Sequence, residues 1–278
     1  MKKVSFILIL LLANVVADAQ GVRSPLSARY TGIGTYSSNF TDAFSGSVNQ
    51  AALAETKGAA AGVYGERRFM LKELSNYAAA IIMPSRLGGF GIAARYFGSN
   101  NFNHSQLGLG FGKKLSDKIA IGIQFNYNMI KLAGYGSSGN INFEAGAILH
   151  LSKKLHAGLH IYNPAGGKYG KLHNEKLASV YSSGFGYEVS DKFFISTEIS
   201  KEEDQPVHIQ AGMQYSVARQ IFARLGVATG TGNYFFGLGL QWKTYRIDAV
   251  TTWHAQLGFT PALMLVFAFH PSSQAEED

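Results

Sequence analysis

From about Lys57 to Phe269 the chain repeats one unit, a run of alternating residues followed by a turn. Apolar residues hold one parity and polar, small or glycine residues hold the other, the period of a β-strand with two unlike faces. Val207, Ile209, Ala211, Met213, Tyr215 and Val217 alternate with His208, Gln210, Gly212, Gln214 and Ser216. Ile119, Ile121, Ile123, Phe125, Tyr127 and Met129 alternate with Ala120, Gly122, Gln124, Asn126 and Asn128. The pattern predicts about fourteen strands, at roughly residues 58–67, 74–83, 89–98, 104–114, 118–131, 140–152, 155–162, 178–189, 192–200, 206–217, 220–229, 233–242, 245–254 and 259–269. Most approach the ~9–11 residues that a tilted membrane strand needs. An even number suits a closed antiparallel barrel with both chain ends on one side.

The turns alternate as well. Those at 84–88, 115–118, 152–154, 190–191, 218–220 and 243–244 are tight, whereas 68–73, 163–177 and 201–205 are longer or more polar. Short turns at one end and long loops at the other mark an outer-membrane barrel, the short end being periplasmic. Composition decides against the soluble rivals, a β-sandwich or a lipocalin-like barrel. Only 15% of residues are charged, and the polar parity is Gly, Asn, Gln, Ser and His rather than the Lys and Glu that water-facing strands carry. No apolar run reaches the ~18 residues of a membrane helix. The absence of cysteine removes disulfides and thiolate-bound metal.

Residues 1–19 read as an export signal: Lys2 and Lys3, then the apolar Phe6 to Ala13, then Ala17-Asp18-Ala19 as a small-x-small cleavage site. The chain is basic, with a formal net charge of +7, yet its basic residues are scattered and the protein is exported, so nucleic acid is not an expected partner. Residues 20–56 lack sustained alternation. Many glycines fall on the inward parity, among them Gly91, Gly108, Gly110, Gly112, Gly122, Gly146, Gly237 and Gly239. Inward glycine makes room for an approaching backbone, and a narrow barrel also favours small inward residues for curvature. The expected division is a plug at 20–56, a transmembrane barrel at 57–270 and an acidic tail at 271–278.

Candidate chemistry is sparse. No nucleotide, metalloprotease or nucleophile-elbow motif occurs, and no convincing nucleophile–base pair is present, so neither an enzyme nor a cofactor is expected. His150 and His156 should face each other across a tight turn, too few ligands for zinc. Arg224, Arg246, Asp248 and Glu144 fall on the lumen parity, with Arg246 opposite Gln241, Arg224 opposite Gln214 and Gly239 opposite Asp248. Asn49 can cap a short helix running through Glu55. Arg29 in the plug needs a carboxylate, because an unpaired buried charge is costly. Asp248 is the first candidate and Glu144 the second; the alternative leaves Arg29 in periplasmic water and Asp248 paired with Arg246. Phe97, Phe194, Phe222 and Phe235 are inward and can line an apolar pocket or pack against the plug.

Ser27-Ala28-Arg29-Tyr30-Thr31-Gly32-Ile33-Gly34 resembles the S/G-A-R-x-x-G-x-G opening of the PorV/PorQ-like outer-membrane proteins, relatives of the FadL-type barrels common in Bacteroidetes. Ser47-Val48-Asn49-Gln50-Ala51-Ala52-Leu53-Ala54 is similar to their N-P-A-x-L-A plug segment, with Gln50 where the family has Pro. Arg224-Leu225-Gly226, Phe236-Gly237-Leu238-Gly239, Ile247-Asp248 and His254 with Leu257-Gly258 resemble their last strands, but the chain then ends in Glu276-Glu277-Asp278. The resemblance implies a fourteen-stranded plugged barrel in the outer membrane. It implies an accessory of type IX protein secretion or surface assembly, whose partners are envelope proteins. The alternative function is a FadL-like conduit for small hydrophobic molecules, with a lateral opening and an apolar pocket beside the plug.

Overall fold

The computed structural model describes residues 41–167, 177–229 and 233–269. The predicted leader, Arg29, the first PorV-like motif and the acidic tail lie outside the described residues. Fourteen antiparallel strands close into a barrel in sequence order, with β1 sealed against β14. The strands are β1 (Ala60–Arg67), β2 (Ser75–Pro84), β3 (Gly89–Gly98), β4 (Phe102–Ser116), β5 (Ile119–Leu132), β6 (Gly136–His150) and β7 (Leu155–Tyr162). They continue as β8 (Val180–Ser190), β9 (Phe193–Glu202), β10 (Val207–Ala218), β11 (Ile221–Ala228), β12 (Asn233–Trp242), β13 (Tyr245–His254) and β14 (Gly258–Ala268). Two short 3-10 helices, η1 (Ser45–Ser47) and η2 (Gln50–Glu55), precede the barrel.

The apolar parity points outward. Leu238 and Leu263 are each 63% exposed and Ile141 72%, whereas Gln124, Asn126, Asn128, Asn142 and Glu144 on the inner parity are buried. This is the reverse of a water-soluble fold, and a continuous apolar belt of this kind needs lipid against it. Outward aromatics gather at both ends of the belt. Phe90, Tyr187, Trp242 and Tyr245 stand near the tight turns; Tyr77, Tyr127, Tyr181 and Trp253 stand near the opposite end. Such girdles mark the two membrane interfaces. The protein is thus a barrel of the cell outer membrane.

Two features depart from the alternation. First, β6 begins at Gly136, earlier than its apolar pattern, and β4, β5 and β6 are 15, 14 and 15 residues long. Ser137 and Ser138 pair with Lys131 and Ile130 although they carry no apolar signal. Strand above the membrane needs only backbone pairing, so no lipid-facing pattern is imposed there. Second, the inner parity is not uniformly polar. Tyr64, Ala78, Ala80, Ile82, Val250, Met264 and Val266 form one buried cluster with Phe44 and Leu53. The lumen therefore has an apolar patch contributed by β13, β14, β1 and β2, and separately a group of amides on β4, β5 and β6.

Candidate functional site

The site is built from residues 41–56 and the lumen wall they touch. Asp42 starts the segment locally: its Oδ1 accepts from the Phe44 N–H at 2.8 Å, and its own N–H donates to Ser45 Oγ at 2.8 Å. Asn49, in extended backbone, caps η2 by accepting from the Ala51 N–H at 3.0 Å. Side-chain caps of this kind satisfy amides that a helix start leaves unpaired. Gln50 occupies the first helical position and its Nε2 donates back to the Gly46 carbonyl at 3.3 Å. Without the fixed φ of Pro, this bond helps hold the turn.

Glycine admits η2 to the wall. A Cβ at Gly122 would fall 2.3 Å from the Gln50 carbonyl carbon, and one at Gly112 would fall 2.7 Å from the Ala54 nitrogen. These are backbone clashes that no rotamer relieves, so the close approach of the η2 backbone, and not curvature alone, explains these positions. Ala51 and Ala52 then pack on Ala120 and Ile148. Arg95 Nη2 donates to the Ser47 carbonyl at 2.8 Å, pinning η1 from β3.

Asn49 reaches further than its cap. Its Nδ2 lies 3.3 Å from the Ala147 carbonyl and 3.2 Å from the Leu159 carbonyl, directly paired residues of β6 and β7. On the outer face of the same wall is an open hollow of about 560 Å³, lined by Ala145, Ala147, Leu159, Ile161, Tyr181, Ile199 and Val207 among others. An apolar hollow outside and Asn49 inside thus meet at one thin stretch of wall.

At the tight-turn end, Glu55 closes η2 onto the barrel. Its Oε2 is 2.7 Å from Lys114 Nζ and its Oε1 3.1 Å from His150 Nε2. His150 Nδ1 is 2.7 Å from His156 Nδ1, with the two residues directly opposite, and His156 Nε2 is 3.4 Å from Glu188 Oε1. The paired histidines follow from the strand register. Glu55 does not: a lone carboxylate far away in sequence gives no cue to its partner.

The lumen charges form two separate groups. Asp248 is fully buried between two arginines: Arg224 Nη1 donates to Oδ1, and Arg246 Nε donates to Oδ2 at 2.9 Å. Arg224 Nε also donates to Gln214 Oε1 at 2.7 Å, and Arg246 lies 5.0 Å from the Phe222 ring centroid. Glu144 accepts from Gln124 Nε2 at 2.9 Å and Asn126 Nδ2 at 3.0 Å, and lies 3.0 Å from His160 Nε2. Both candidate partners of Arg29 are thus engaged by the wall itself. Arg224 is a partner of Asp248 that pairing between adjacent strands does not give: β12 lies between them, and the long Arg224 side chain reaches across it at Gly237 and Gly239. Phe194 and Phe235 are buried, whereas Phe97 and Phe222 are partly buried. Among the described residues no group of three or more acidic, His or Cys side chains could hold a metal ion.

No family model matches the chain and no curated protein matches its sequence. Solved structures do match. The monoaromatic hydrocarbon channel CymD aligns with a TM-score of 0.63 at 11% identity, over 84% of this chain and 94% of that one. A Pseudomonas aeruginosa FadL homologue aligns with a TM-score of 0.63 at 12% identity, over 90% and 99%. The Pseudomonas putida toluene transporter TodX aligns with a TM-score of 0.65 at 9% identity, again over 90% and 99%. Identity this low speaks for architecture, and the architecture this chain shares is that of the FadL-type outer-membrane barrels.

Proposed function

We propose that the chain is a FadL-like conduit for small hydrophobic molecules across the outer membrane, with residues 20–56 as its plug. The observation that carries this reading is the apolar hollow on the outer wall between β6 and β10, backed on the lumen side by Asn49 of the plug. A hollow of this size and lining suits a small apolar ligand. On the lumen side, the apolar cluster of Tyr64, Ile82, Met264 and Val266 is covered by Phe44 and Leu53 of the segment before β1. The similar solved structures include channels for monoaromatic hydrocarbons and toluene. No catalysis and no cofactor enter this reading. Its test is uptake of a radiolabelled monoaromatic hydrocarbon by cells with and without the gene. Uptake should fall on deletion and return with the intact chain, but not with Ala147→Trp, which fills the hollow.

A second reading rests on the sequence motifs Ser27 to Gly34 and Ser47 to Ala54, which resemble the PorV/PorQ-like proteins. It makes the barrel an accessory of type IX secretion or surface assembly. Loss of cargo from the surface proteome on deletion, with hydrocarbon uptake unchanged, would favour it over the conduit.

A further inference from the structure

Among the described residues, charge differs between the two ends of the barrel. Every tight turn carries an exposed basic residue: Arg86, Lys118, Lys153, Lys192, Arg219 and Lys243. Asp117 and Asp191 are the only acids in those turns. The described loops at the opposite end hold Arg68 and Lys72 against Glu73, Glu203 and Asp204. Because the strands follow sequence order around the barrel, the basic residues are spread over its whole circumference. Arg86, Lys118, Lys153, Lys192 and Lys243 make no ion pair among the described residues. Immediately along the outer wall stand the aromatics of that end, with Trp242 61% exposed and the Lys243 amine 5.9 Å from its ring centroid.

We propose that this ring docks the phosphate headgroups of anionic phospholipids in the leaflet around the tight-turn end. A protein partner would cover one sector of the rim, whereas the charge is distributed around it. The ring also sits at the depth of headgroups, just past the interfacial aromatics. Long Lys and Arg stems can lie along apolar wall while their charges reach the phosphate layer. Each basic residue at an anionic surface favours association by about fivefold. The surface is independent of what the lumen carries.

The chain's two tryptophans make the test, since Trp242 lies beside the ring and Trp253 near the opposite interface. The full chain with Trp253→Phe, and separately with Trp242→Phe, is folded into phosphatidylcholine vesicles containing brominated phosphatidylglycerol or brominated phosphatidylcholine. Quenching of Trp242 should show a severalfold preference for phosphatidylglycerol that fades in roughly 0.5 M salt, as screening requires. Trp253 should show none. Equal association of both lipids at Trp242, or the same preference at both tryptophans, overturns the proposal. The variant carrying Arg86→Gln, Lys118→Gln, Lys192→Gln and Lys243→Gln, with migration in unheated gels confirming that it is folded, should lose the preference. Retention of the preference there overturns the proposal equally, and the two single-tryptophan proteins decide the matter even if that variant does not fold.

Discussion

At single positions, the lumen is governed by close approach and by charge. Gly122 faces the Gln50 backbone, so Gly122→Val must push η2 away; overpacking of this kind costs about 1–3 kcal/mol. A Cβ at Gly65 would come no nearer than 3.6 Å to a Tyr77 ring carbon, ordinary contact, and Gly65→Ala should be neutral. Heat-modifiable gel migration across a temperature series compares the two directly. Asp248 neutralises Arg224, whose side chain is 2% exposed. Asp248→Ala strands that guanidinium in the wall and should cost about 3–5 kcal/mol. Arg224→Ala with Asp248→Ala should recover part of that loss, because residues in one network do not add. Strictly additive midpoints in urea would show that the pair is not coupled.

Among elements, η2 and the strands obey different rules. The helix is too short to hold its own shape and depends on Asn49 at one end and Glu55 at the other. Asn49→Ala removes the cap and both bonds to the β6 and β7 carbonyls, a loss of about 1–2 kcal/mol. It should raise small-ion conductance in planar bilayers, and a conductance equal to wild type would show that η2 is held by packing alone. The ion pair from Lys114 to Glu55 adds less, since Lys114 is 52% exposed and water screens it. For the strands, the question is facing. Leu238→Arg puts a charge into lipid near mid-strand and should cost about 2–4 kcal/mol. Gln210→Ser, on the lumen side, loses one 2.7 Å bond to Glu198 and should cost about 1 kcal/mol or less. Folding titrations of both variants in detergent check the ordering.

The whole molecule is an inside-out arrangement whose stability depends on lipid. The intact protein should fractionate with the outer membrane and migrate faster unheated than boiled, because a closed barrel has no free edge from which to unravel. Its lumen lining is uneven, with amides on β4 to β6 and aliphatic side chains on β13, β14, β1 and β2 packed against Phe44 and Leu53. Its ends also differ, basic at the tight turns and mixed at the loops.

Strand number, facing and the tight end were legible in the sequence, because lipid on one side imposes a period of two that each strand repeats locally. Register across tight turns was legible for the same reason: counting outward from Lys243-Thr244 places Arg246 opposite Gln241 and Asp248 opposite Gly239. The upper part of β6 was not, since Ser137, Ser138 and Gly139 stand above the belt where no solvent preference marks the strand. Nor was the apolar lumen wall: in β2 and β14 both parities are apolar, and only the seating of Phe44 shows that the inner one has a partner. The contacts of Glu55 with Lys114 and His150, of Asn49 with the β6 and β7 carbonyls, and of Arg224 with Asp248 were decided by the closed barrel alone. Each joins residues far apart along the chain or skips a strand, and a local pattern carries no information about which distant side chains closure brings together.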